Sequence, residues 1–172
     1  MKARIAPGVI DGIVSVPPSK SLTQRAYAAA LLFAGRTLIH NAGHSADETA
    51  AKQVIQQLGA SINGHLITSS GLAPISNTIN CGESGLATRL FAPIAALHHS
   101  PITIGGTGSL LQRPLEGLEK TLQQFGVRMP NYNGHVPITV NGPLKPASVT
   151  IDAHGSSQLV SGLLFALCAS AT

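Results

Sequence analysis

Lys20-Ser21, with Arg25 one helical turn beyond, gathers an ammonium, a hydroxyl and a guanidinium. Those groups suit an anion. They follow Pro17-Pro18-Ser19, where a helix is expected to begin. The free N–H groups and dipole of a helix start attract negative charge. Ser21 is placed to cap the helix or donate its hydroxyl. Lys20 brings a flexible charge, and Arg25 can fork onto a carboxylate or phosphate. A capped helix with solvated basic residues is the plain alternative. Similar starts recur at Cys81-Gly82-Glu83-Ser84-Gly85 with Arg89, and at Gly155-Ser156-Ser157-Gln158. Glycine there lets a ligand come close to the backbone. Gln112-Arg113-Pro114-Leu115 reads as a further helix start with Pro114 in its first turn. The dipole disfavours a cation there, so Arg113 invites an anionic ligand. Asp47-Glu48 opens another helix, where capping alone accounts for acids.

The elements that must position these residues repeat. Gln56-Gln57-Leu58-Gly59-Ala60 is echoed by Gln123-Gln124-Phe125-Gly126-Val127, and Asn63-Gly64-His65 by Asn133-Gly134-His135. Each unit reads as strand (13–16, 78–80, 149–151), helix (21–33, 84–97, 157–168), second strand (37–40, 102–104) and second helix (47–58, 113–125). Gly59 and Gly126 end the second helices, and hairpins follow with turns at Asn63-Gly64 and Asn133-Gly134. The first helices are apolar nearly all round, so they are expected inside, with sheets outside. Two units and the opening of a third are visible by Thr172, so the sequence reads as truncated. If the repeats pack about one axis, their helix starts share a mouth suited to a doubly anionic ligand.

Composition narrows the ligand. Of 172 residues, 11 are Lys or Arg and 7 Asp or Glu, a net charge of +4. Such a surplus favours anions. The basic residues are scattered and only 3% of residues are aromatic, which argues against nucleic acid and for small acids. Met1–Ile10 lacks the apolar stretch of a signal peptide, and no run approaches the ~20 apolar residues of a membrane span. A cytoplasmic protein is the expectation, with Cys81 and Cys168 as buried reduced thiols. The seven histidines, His98-His99 included, show no metal-ligand spacing, and no metal is expected.

The ordered set of Lys20-Ser21-x-x-x-Arg25, Gly85 with Arg89, Arg113-Pro114 and Ser156-Ser157-Gln158 resembles the 5-enolpyruvylshikimate-3-phosphate (EPSP) synthase family along the whole chain. The resemblance implies an α/β fold of repeated βαβαββ units, an inside-out arrangement with buried helices. It also implies transfer of the enolpyruvyl group of phosphoenolpyruvate to the 5-hydroxyl of shikimate 3-phosphate, without a cofactor. By the same resemblance, residues 1–15 hold a strand that belongs with a second domain. Residues 16–172 form an incomplete N-terminal substrate-binding domain. Lys20, Ser21, Arg25, Ser156, Ser157 and Gln158 are implied to hold shikimate 3-phosphate. Lys20, Gly85, Arg113 and Gln158 are implied to hold phosphoenolpyruvate, with Gly85 marking where glyphosate lies. Asp47, Glu83, Ser84 and Arg89 are weaker candidates. The family's acid and base carboxylates are expected beyond Thr172, so the chain alone is expected to be inactive. A full-length member is expected to be monomeric, without membrane or nucleic-acid partners.

Three residues depart from the family's pattern: Glu83 where Asn is common, Leu86 where Thr or Ala is common, and Pro18 in place of Gly. A carboxylate at 83 would repel phosphoenolpyruvate unless paired, and Arg89 or Lys20 is the expected partner. The alternatives are the sister enzyme acting on UDP-N-acetylglucosamine and a non-catalytic binding module of the same repeats. The sister enzyme normally has Lys-Asn at the first helix and a cysteine loop where this chain has Gly105-Gly106-Thr107-Gly108-Ser109.

Overall fold

The computed structural model describes residues 3–4, 6–9, 11–151 and 157–171. The first repeat comprises α1 (Lys20–Leu32), β1 (Gly35–Leu38), α2 (Ala46–Gln57), β2 (Ser61–Asn63) and β3 (Leu66–Ser69). The second comprises β4 (Thr78–Asn80), α3 (Gly85–Ala95), β5 (Ile102–Gly105), a 3-10 helix (Gly108–Gln112), α4 (Leu118–Gln123) and β6 (Ile138–Val140). Helix α5 (Ser157–Ser170) follows. None of these helices is long and apolar enough to cross a membrane.

Each repeat builds a three-stranded sheet. The first has order β1-β3-β2 and is antiparallel, pairing Leu38 with Leu66 and Ile62 with Ile67. In the second, β5 lies between a parallel β4 and an antiparallel β6. Ile79, Ile104 and Ile138 therefore share one row, and all three are buried.

Helix α3 is the centre of the core. Every residue of it except Arg89 is buried, as its apolar run requires. Leu90, Phe91 and Ile94 are fully enclosed, and each such side chain contributes about 1.5–3 kcal/mol. The other first helices are only half inside. Helix α5 buries Leu159, Gly162, Leu163 and Ala166 but leaves Leu164 59% exposed.

Several expected elements differ. Residues 13–16 and 149–151 form no strand, because no neighbouring strand pairs with either among the described residues. Ile13, Val14 and Val16 stand in solvent. The first hairpin turns at Gly64-His65, since Asn63 still pairs with Leu66. Around Asn133-Gly134 there is no two-residue turn. Arg128 and Asn141 bridge instead, enclosing a wide loop in which Asn133 Oδ1 accepts from the His135 N–H. Cys81 is buried as expected, with its thiol pushed up to about 12 by enclosure, but Cys168 is exposed on α5. The apolar run containing Cys168 buries only one side.

Helix α2 begins with a full capping box. Ser45 Oγ accepts from the Glu48 N–H at 3.3 Å, and Glu48 accepts from the Ser45 N–H at 3.0 Å and its hydroxyl at 2.6 Å. Glu48 is 3% exposed. Burial pushes its carboxyl up, but the Ser45 bonds, with Thr23 and Gly43, outweigh that and hold it below its ordinary 4.5. The folded carboxyl being the stronger acid, its stabilisation is fully present above that value. It is lost as pH falls through the lower folded value. Glu48→Ala should cost about 1–2 kcal/mol near neutral pH and less in acid. Urea midpoints across an acid series would show the two curves converging; a constant gap would contradict the linkage.

Candidate anion-binding site at three helix starts

Helix α1 begins at Lys20 and is capped by Ser19, whose hydroxyl accepts from the Leu22 N–H at 3.4 Å. Ser21 is therefore not the cap. It lies exposed in the first turn, and its carbonyl accepts from Arg25 Nη1 at 3.1 Å. Arg25 Nε donates to Ser161 Oγ at 3.2 Å, and that hydroxyl donates to the Ser157 carbonyl at 3.0 Å. One guanidinium thus ties the start of α1 to the start of α5. This brings Lys20, Ser21, Arg25, Ser157 and Gln158 to one side of the molecule. Ser156 and Gly155 lie outside the described residues.

A second tie runs from α1 to α3. Ser84 caps α3 by accepting from the Ala87 N–H at 3.1 Å, while its hydroxyl donates to Gln24 Oε1 at 2.9 Å. Gln24 is fully buried, and its amide reaches the Lys20 carbonyl at 3.4 Å. Ser84 is 1% exposed, so its hydroxyl serves the packing of two helix starts. Lys20 is tied to α2 by an ion pair of 2.8 Å to Asp47, both groups partly exposed.

Above Gly85 stand two guanidiniums. A Cβ on Gly85 would lie 3.1 Å from Arg89 Nη1 and 3.8 Å from Arg113 Nη1, so a side chain there would enter the space the arginines border. Arg89 donates to the carbonyls of Gly85 (3.3 Å) and Pro114 (2.8 Å). Its burial, with the neighbouring Arg113 charge, lowers its pKa. A second cation so close favours an anion between them.

Arg113 reaches this place by a different route from the expected one. The residue before a proline avoids the helical region, and Arg113 is extended (φ −85°, ψ 124°) at the end of the 3-10 helix. Helix α4 starts only at Leu118, after Gly117. Arg113 is therefore not at a helix N-terminus. Its Nη2 donates to Ser109 Oγ at 3.1 Å, which fixes it against the preceding 3-10 helix.

Glu83 also pairs otherwise than expected. Lys20 is taken by Asp47 and Arg89 by carbonyls, whereas Glu83 Oε2 accepts from the Ser109 N–H at 2.8 Å. The Ser109 hydroxyl and that N–H, with the Arg113 charge, hold its carboxyl below the usual range. Gln24, Ser109 and Ser161 are partners that the motifs do not single out. The i, i+4 spacing of Lys20 with Gln24 and of Ser157 with Ser161 was the available signal.

The site is an open face. A hollow of about 540 Å³ is lined by Arg89 and Pro114 but not by Lys20, Arg25, Gly85 or Arg113. Among the described residues no group of three His, Cys, Asp or Glu is arranged to hold a metal.

Residues 5–172 match the family model described as EPSP synthase (3-phosphoshikimate 1-carboxyvinyltransferase). Proteins named 3-phosphoshikimate 1-carboxyvinyltransferase from Thermococcus kodakarensis and Chlamydia abortus are 36% and 38% identical to the chain, over 155 and 172 residues. These alignments take in 90% and 95% of this chain and 38% of each relative. A solved EPSP synthase from Acinetobacter baumannii aligns with a TM-score of 0.79 at 25% identity, covering 90% of this chain and 37% of its own. The chain thus spans about two fifths of the length of the curated relatives it matches.

Proposed function

Because the chain belongs to the EPSP synthase family, we propose that it carries part of the substrate site for enolpyruvyl transfer from phosphoenolpyruvate to the 5-hydroxyl of shikimate 3-phosphate. The observation that carries this reading is the joining of helix starts by Gln24–Ser84 and Arg25–Ser161, beside the arginine pair at Gly85.

Shikimate 3-phosphate is the ligand of the α1–α5 side. Lys20 and Arg25 neutralise its phosphate, while Ser21, Ser156, Ser157 and Gln158 add hydroxyl and amide contacts. Asp47 steadies the Lys20 ammonium between the two ligands. Phosphoenolpyruvate lies over Gly85, where Arg89 and Arg113 face its charges and the missing side chain gives it room. Lys20 and Gln158 reach it from the other side. The tetrahedral intermediate of this transfer carries both a phosphate and a carboxylate, so clustered cations stabilise it more than either substrate. Residues 1–172 alone present these cations to water, which weakens each interaction. The chain by itself is expected to bind substrate and turn over negligibly.

Titration of shikimate 3-phosphate while following thermal unfolding tests the reading. At a concentration about 100-fold above Kd, a specific ligand adds about 2.7 kcal/mol, or roughly 5–10 °C for a chain of this size. UDP-N-acetylglucosamine should leave the midpoint unchanged. No shift with shikimate 3-phosphate, or an equal shift with both, would reject the assignment.

A further inference from the structure

We propose that Gly108 forms a cradle that keeps the Glu83 carboxylate off the Arg89–Arg113 pair, leaving the face of Gly85 open to a diffusible anion. The proposal rests on the anion-site reading above. Glu83 lies two residues before Gly85, on the same loop that aims α3 at the ligand. An exposed carboxylate there is the natural competitor for two nearby guanidiniums, and carboxylate–arginine pairs are strong. Yet among the described residues the ion pair within 4.0 Å is Lys20–Asp47, and Glu83 joins neither arginine. Its carboxylate instead rests against Gly108 and accepts from the Ser109 N–H at 2.8 Å.

The rest is specific to glycine. A Cβ on Gly108 would stand 2.4 Å from Glu83 Cδ and 2.5 and 2.7 Å from its two oxygens. Gly108 also has φ +53°, a left-handed conformation that side chains other than Asn and Asp rarely adopt. Any side chain at 108 therefore evicts the carboxylate. Eviction matters because the freed group stays tethered beside the arginines. Ser109 has a double role in this arrangement: its N–H holds Glu83 while its hydroxyl accepts from Arg113 at 3.1 Å. The carboxylate and the guanidinium are thereby parked on one residue without forming an ion pair, although the Arg113 charge still reaches Glu83.

The test follows the Gly85, Ser109 and Arg113 amide resonances of the full chain during titration with inorganic phosphate. The wild type should show saturable shifts at these amides. Glu83→Gln should tighten binding by about threefold, the scale of one exposed charge interaction. Gly108→Ala should weaken it by roughly tenfold or more, because a like charge now sits beside the anion. Should the alanine variant fail to fold, Gly108→Asn tolerates the backbone and evicts the carboxylate equally. The double variant Glu83→Gln with Gly108→Ala keeps the crowding and the strain but lacks the charge, so it should bind at least as well as wild type. A double variant as weak as Gly108→Ala alone would overturn the proposal. So would weaker binding by Glu83→Gln, or a wild type without shifts at these amides. If phosphate behaves as described while shikimate 3-phosphate binds elsewhere, the cradle stands and the substrate assignment fails.

Discussion

Gly162→Leu should lower the stability of the chain by about 3 kcal/mol, a fall of roughly 10 °C in the unfolding midpoint. Helix α5 lies so close to α3 at this residue that even a Cβ would stand 2.6 Å from the Leu90 carbonyl oxygen and 2.8 Å from that of Arg89. Those are backbone atoms of the most buried helix, so they do not yield as a flexible side chain would. Pro93 bears on this contact. It has no N–H to offer the Arg89 carbonyl, which is one of the two oxygens that face Gly162. Gly162→Ala gains about 1 kcal/mol of helix propensity, yet should still destabilise because the crowding is larger. Leu164→Ala, on the exposed face of the same helix, should change stability by less than about 0.5 kcal/mol. Scanning calorimetry of the variants decides the matter. Equal midpoints for Gly162→Leu and wild type would show that α3 and α5 do not pack so closely.

Arg25→Ala should weaken shikimate 3-phosphate binding by about tenfold, or about 1.4 kcal/mol, the scale of a charge-assisted hydrogen bond on a face open to water. Two of the donors of Arg25 are committed to Ser161 and Ser21, so the guanidinium is already oriented before a ligand arrives. That preorganisation is why the loss should not be smaller. Arg25→Lys keeps the charge but not the fork, and should fall between. Calorimetric titration distinguishes these outcomes. A loss of less than about threefold would place the phosphate away from α1.

The helices were legible because each has a local cause. Small polar residues precede the apolar runs at Lys20, Gly85 and Ser157, and Gly59 follows α2 with φ +112°. Even there, the cap of α1 fell two residues early, at Ser19. Strands were harder, because a ladder needs a partner. Residues 13–16 have the composition of a strand but find no pairing neighbour among the described residues, whereas β4 has β5. The candidate residues can be listed from the sequence, but their hydrogen-bond partners cannot. Glu83 meets Ser109 across 26 positions, and Arg25 meets Ser161 across 136. Nothing in the local spacing announces such pairs. Arg113 was drawn to a helix start by Pro114, although the restraint a proline places on its predecessor points the other way.

In the proposed function, the starts of α1, α3 and α5 serve one small-acid site. Following backbone amides during titration with shikimate 3-phosphate and phosphoenolpyruvate together tests this most directly. Signals from Lys20 and Ser21, from Gly85, and from Ser157 and Gln158 should move as one set with a common saturation curve. Shifts confined to a single helix start, or separate curves for the three, would contradict it.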